Sequence, residues 1–79
     1  LIYEFNKNEI NLFYKQIVQN VAKVRKEKGY SQLELSLAIG YKSVSLVSGV
    51  EAGYKNIHYN IEHLYKIAKI LEVDIKEFF

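Results

Sequence analysis

Seventy-nine residues with a formal net charge of +2 make one small domain, and a chain of this length removes only about 60–65% of its unfolded surface from water on folding. A composition that is 49% hydrophobic, with no proline and four glycines, points to a compact helical domain and excludes a disordered tail. The absence of cysteine excludes a disulfide framework and a thiolate metal site, no apolar run reaches the length of a membrane helix, and Leu1-Ile2-Tyr3-Glu4-Phe5 is not a leader, so an unexported, cytoplasmic protein is expected.

Leu1 to Phe5 is rich in strand-favouring residues and reads as a short arm able to pair with a second copy. Asn6 and Glu9 have capping-box spacing, with Phe5 and Ile10 as a hydrophobic staple, so the first helix begins near Lys7. Ile10, Phe13, Ile17, Val21 and Val24 recur every three or four positions toward Lys28, and Gly29 is a left-handed stop. A second helix is expected over 32–39. Ser31 and Glu34 cap it, Leu35, Ala38 and Ile39 face inward, and Gly40 permits the reversal that follows.

Ser43 is placed to cap a third helix over 44–52, with Val47 and Val50 inward and Gly53 as its stop. After a polar segment, Asn60 caps a fourth helix whose apolar stripe is Ile61, Leu64, Ile67, Ala68 and Leu71. Asp74 and Glu77 repeat the capping-box spacing, predicting a last short helix ending at Phe79. The fold class is therefore all-α, a compact bundle of about five helices. Residues 1–16 form an arm and an extension of the first helix, and residues 17–79 form the domain proper. Positive charge gathers in the first two-thirds, where Lys7, Lys15, Lys23, Arg25, Lys26, Lys28, Lys42 and Lys55 outnumber the carboxylates.

Arg25, then Gly29-Tyr30-Ser31-Gln32, Leu35, Gly40, Val47, Val50-Glu51-Ala52-Gly53, and Leu64 through Leu71 with Val73 together resemble the Cro-type, phage-repressor-like helix-turn-helix family, over roughly residues 17–79. The resemblance implies a lambda-repressor-like bundle and a structural ion pair between Arg25 and Glu51, of the kind whose disruption costs about 3–5 kcal/mol. It implies that Gln32 contacts phosphate from the start of the second helix, and that Val44, Ser45 and Gly49, flanked by Lys42, Ser43 and Ser48, face base edges. Lys55 and Asn56 occupy the loop after the third helix that is usually basic in the family, and are further phosphate contacts.

The chain departs from the family pattern in three places. The third helix has no arginine, asparagine or glutamine, the side chains that make paired hydrogen bonds to single bases. Four residues instead of three separate Gly40 from Ser45, and Glu72 stands where a glycine is common. The expected function is a repressor-like transcriptional regulator that binds double-stranded DNA as a homodimer, with half-sites about 34 Å apart. An antitoxin or restriction-controller role fits the same scaffold. The alternative is a protein-interaction or dimerisation module that keeps the fold without base-specific binding.

Other readings of the same residues are bland. His58 and His63 lack a third ligand, so no metal is expected, and no cofactor motif or nucleophile turn suggests an enzyme. Tyr14, Tyr30 and Tyr65 are read as packing residues, and Tyr41, Tyr54 and Tyr59 as lying in candidate contact loops. The lysines between Lys23 and Lys28 are read as a solvated helix face.

Overall fold

A computed structural model describes residues 3–79. Four α-helices follow one another: α1 (Lys7–Glu27), α2 (Gln32–Ala38), α3 (Ser45–Ala52) and α4 (Ile61–Leu71), with short 3-10 turns at Tyr54–Asn56 and Ile75–Phe78. No strand occurs among the described residues. The expected arm lies partly outside them, at Leu1 and Ile2; Tyr3 to Phe5 are exposed and irregular.

The helix count is four and not five. At the last element the Asp74 carboxylate accepts from the Lys76 N–H at 2.9 Å, and the N–H groups of Glu77 and Phe79 reach back only three residues. That is the tighter 3-10 pattern, favoured in one-turn pieces.

Helix ends follow their local chemistry. The Asn6 side chain caps α1 by accepting from the Asn8 N–H at 2.7 Å, and the Glu9 side chain does not return the bond. α1 stops in a Schellman arrangement, with Gly29 at φ +79° and the Tyr30 N–H bonded to the Arg25 carbonyl at 3.0 Å. Ser31 and Glu34 close a full capping box on α2, and the Ser31 N–H that Glu34 accepts holds its carboxyl below the usual range. α4 ends in the same way as α1, but with Glu72 in the left-handed conformation (φ +57°).

Among the described residues, thirteen hydrophobic ones form the buried core, centred on Val21, Leu35, Val47, Ile67, Leu71 and Phe78. Two expectations are corrected here, for Ala38 and for Tyr59 with Tyr65. Ala38 is exposed, and Ser36 takes the inward position on α2 because its hydroxyl has a partner in the following turn. Phe78 is fully buried, with its carbonyl accepting from the Asn20 amide, so only Phe79 is exposed. Tyr59 belongs to the core, whereas Tyr65 is exposed.

The stripe on α1 is buried only in its second half. Ile17, Val21 and Val24 lie against the other helices, while Ile10 and Phe13 remain in water. The Phe5–Ile10 staple accordingly buries neither side chain.

Candidate nucleic-acid interface

The reversal between α2 and α3 is held from inside. The buried Ser36 hydroxyl donates to the Ser43 carbonyl at 2.6 Å, and the Ser36 carbonyl accepts from the Tyr41 N–H at 3.1 Å. These bonds fasten both sides of the four-residue connection, so its extra residue does not loosen it. The Ser43 hydroxyl accepts from the Ser45 N–H at 3.3 Å, and α3 starts at Ser45 with Val44 just outside it in helical conformation.

Arg25 joins three elements. Its Nε donates to Glu51 Oε2 at 2.8 Å, Nη2 donates to Oε1 at 3.0 Å, and Nη1 donates to the Tyr30 carbonyl at 2.6 Å. Both side chains are about nine-tenths buried. Gln32 Nε2 donates to Glu51 Oε1 at 2.9 Å, which fixes the amide at the start of α2. An amide nitrogen carries two protons, so one is left to donate outward to an anion.

The side chains of α3 divide cleanly. Val47 and Val50 are buried, and the outer face carries Ser45, Ser48 and Ala52, which recur at helical spacings of three and four. Val44 and Ser48 are half-buried, and Ser45 is exposed. Lys42 lies in the turn before α3 and Lys55 in the loop after it, both exposed, as are Ser43 and Asn56. Lys55 and Asn56 adopt positive φ (51° and 56°), and the Lys55 ammonium sits 5.3 Å from the Tyr54 ring centroid.

Gly49 has a different neighbour from the one a duplex would supply. A Cβ at this position would lie 2.9 Å from Ile57 Cδ1. The close approach that glycine permits is therefore made by a side chain of the same chain, folded back from the following loop. Ile57, 40% exposed, and Ala52 both border the outer face. Neither was singled out from sequence; Ala52 was legible as the residue seven positions after Ser45.

A polar cluster ties the turn to α4. The Asn60 N–H donates to His63 Nδ1 at 3.1 Å, the Asn60 side chain accepts from the His63 N–H at 2.8 Å, and His63 Nε2 meets the Tyr41 hydroxyl at 2.6 Å. With Nδ1 accepting, the proton of a neutral ring sits on Nε2 and is donated to Tyr41. Burial pushes the imidazole pKa down, with Lys66 adding to the effect and Glu62 opposing it. Nearby, burial pushes the Tyr59 phenol above its usual range, Glu51 reinforcing this and Arg25 acting against it.

The arrangement can present a short, uncharged helix face between two flanking cations. No helix among the described residues is long and apolar enough to cross a membrane. A comparison with curated proteins found no match. A family model described as helix-turn-helix matches residues 21–78, which contain the whole α2–α3 pair and the Arg25–Glu51 clamp. The chain belongs to the XRE-type, lambda-repressor/Cro-like helix-turn-helix family, a family of DNA-binding proteins.

Proposed function

We propose that the chain is a repressor-like transcriptional regulator acting on cytoplasmic DNA, with α3 in the major groove and two copies reading half-sites one helical turn apart. Residues 17–79 are the DNA-binding unit, and residues 1–16 are its extension. Gln32, Lys42, Lys55 and Asn56 hold phosphates, while Val44, Ser45 and Ser48 face base edges with Ser43 beside them. Gly49 contributes by letting Ile57 pack close and not by touching DNA itself. The observation that carries this reading is the placement of exposed Lys42 and Lys55 at opposite ends of an exposed α3 face, because phosphate contacts on both sides of a helix set its register in a groove. Serine and valine discriminate weakly between bases, so sequence preference draws also on the deformability of the site.

A second reading rests on the same face. Its outer residues include no arginine, asparagine or glutamine, which suits a protein-interaction module that keeps the fold without base readout. Fluorescence anisotropy on a mixed duplex at several salt concentrations separates the two. The proposal expects affinity to fall steeply with salt, and Lys42→Ala with Lys55→Ala to reduce the log–log slope by about 3.6 for the dimer, or roughly 0.9 for each of the four phosphates left without a lysine. An absence of binding at low salt supports the module, and an unchanged slope in the double variant removes these lysines from the interface.

A further inference from the structure

We infer that the first half of α1, together with the segment that leads into α4 and Phe79, is the surface on which a second copy of this chain docks. The inference rests on the homodimer proposed above but concerns a different face from the one offered to DNA. Residues 7–20 of α1 precede the region matched by the family model, and they extend the helix by about 21 Å at 1.5 Å per residue. From residue 7 to 16 the apolar stripe continues with no helix covering it among the described residues, and Ile17 is its first buried member. Ile10, Phe13 and Tyr14 flank a groove of about 680 Å³ whose other wall is His58 to Ile61. Phe79 closes one end, its ring centroid 6.4 Å from that of Phe13, and His58 stacks on Tyr14 at 3.8 Å.

The occupant follows from area and charge. Phe13 is 54% exposed, Phe79 51%, Tyr14 37%, Ile10 43% and Ile61 71%, which at about 200 Å² for a whole aromatic side chain leaves on the order of 400–500 Å² of these five residues, inside the groove and on the ridges beside it, in water. A standard homodimer interface removes about 800 Å² from each partner, some 65% of it apolar, so it needs about 500 Å² of such surface. Groove and ridges together expose about that amount. Between residues 3 and 20 the charged residues are Glu4, Lys7, Glu9 and Lys15, two of each sign. Two identical faces therefore do not repel, and nothing in the charge favours a nucleic acid or an acidic peptide. In a two-fold arrangement the ridge of one α1 enters the groove of the other, each copy contributing both parts.

Sedimentation equilibrium of the full chain without DNA tests this. The expected mass is twice the 9.2 kDa of one chain at micromolar concentration. Phe13→Lys, and separately Phe79→Ser, should weaken the dimer by about tenfold or more, with unchanged helical circular dichroism because both rings are half in water. Leu12→Lys, on another face of α1, should leave the dimer intact. A wild-type chain that stays monomeric to millimolar concentration overturns the inference, as does dissociation by Leu12→Lys or indifference to both groove variants. Lys42→Ala with Lys55→Ala should weaken DNA binding and flatten its salt dependence while leaving the dimer unaffected, so failure of the DNA reading and failure of this surface give different results.

Discussion

Arg25 and Glu51 meet edge to edge across 26 positions of sequence, through two parallel hydrogen bonds of 2.8 and 3.0 Å. The pair links α1 to the end of α3, and Gln32 joins it from α2, so one carboxylate ties three helices together. Glu51→Ala leaves a buried guanidinium without its counter-charge and is expected to cost about 3–5 kcal/mol in denaturant unfolding. Arg25→Ala with Glu51→Ala should cost less than the two single changes added together; strict additivity would mean that the two groups are energetically independent.

Ser36 holds the turn through a single hydroxyl. Ser36→Ala leaves the Ser43 carbonyl without that donor and should destabilise the fold by about 1–3 kcal/mol. The melting temperature reports the loss, and amide hydrogen exchange should accelerate first between residues 40 and 45. Uniform acceleration along the chain would show that the bond supports the fold globally and not the turn.

His63 makes stability depend on pH in a defined direction. Its folded pKa lies below the ordinary 6.5 because burial disfavours the charged ring. Its contribution is thus fully present above pH 6.5 and is lost as pH falls through the depressed folded value. Protonation also places a hydrogen on Nδ1, where the Asn60 N–H now donates, and puts positive charge at the start of α4. His63→Gln keeps the capping side chain without the titration. Thermal unfolding across pH 5–8 should show a decline toward acid in the wild-type chain that the variant lacks, and matching profiles would assign the decline to other groups.

Glu72 ends α4 in a left-handed conformation at φ +57°. A side chain there is strained by roughly 1–2 kcal/mol, partly offset by the larger entropy that glycine loses on folding, so Glu72→Gly should stabilise the domain by about 0.5–1 kcal/mol. A drop in the unfolding midpoint would show that the Glu72 side chain itself contributes.

Gly49 and Ile57 should be energetically coupled. Alanine is favoured over glycine inside a helix by about 1 kcal/mol, but its methyl would meet Ile57 Cδ1. The gain from Gly49→Ala is therefore expected in full only when Ile57→Ala is also present. A double-mutant cycle measures this, and equal effects in both backgrounds would place Ile57 away from Gly49.

Much of the fold was legible because its signals are local. Ser31 with Glu34, Gly29 and Gly53 each act within a few residues, and the structure uses all of them as expected. Arg25 and Glu51 were reached by resemblance, since no local spacing links positions so far apart. The inward turn of Ser36 was hidden because a serine on a helix is ordinarily a surface residue, and its partner is a backbone carbonyl that has no letter in the sequence. The exposure of Ile10 and Phe13 has a different reason. A periodic stripe says which face of a helix is apolar, not whether a neighbour exists to cover it. The approach of Ile57 to Gly49 has no signal in the sequence either, because it is made by a side chain folded back from beyond the helix.

The late start of α3 has a bearing on how its outer face can change. The helix is anchored near its far end, where Val50 is buried and Glu51 is clamped, so its rotation about its own axis does not depend on the length of the preceding turn. Residues added to or removed from that turn would shift what stands ahead of Ser45 while Ser45, Ser48 and Ala52 kept their bearing. Mutation at those three positions is thus free to vary the side chains this face presents with the helix held in one orientation.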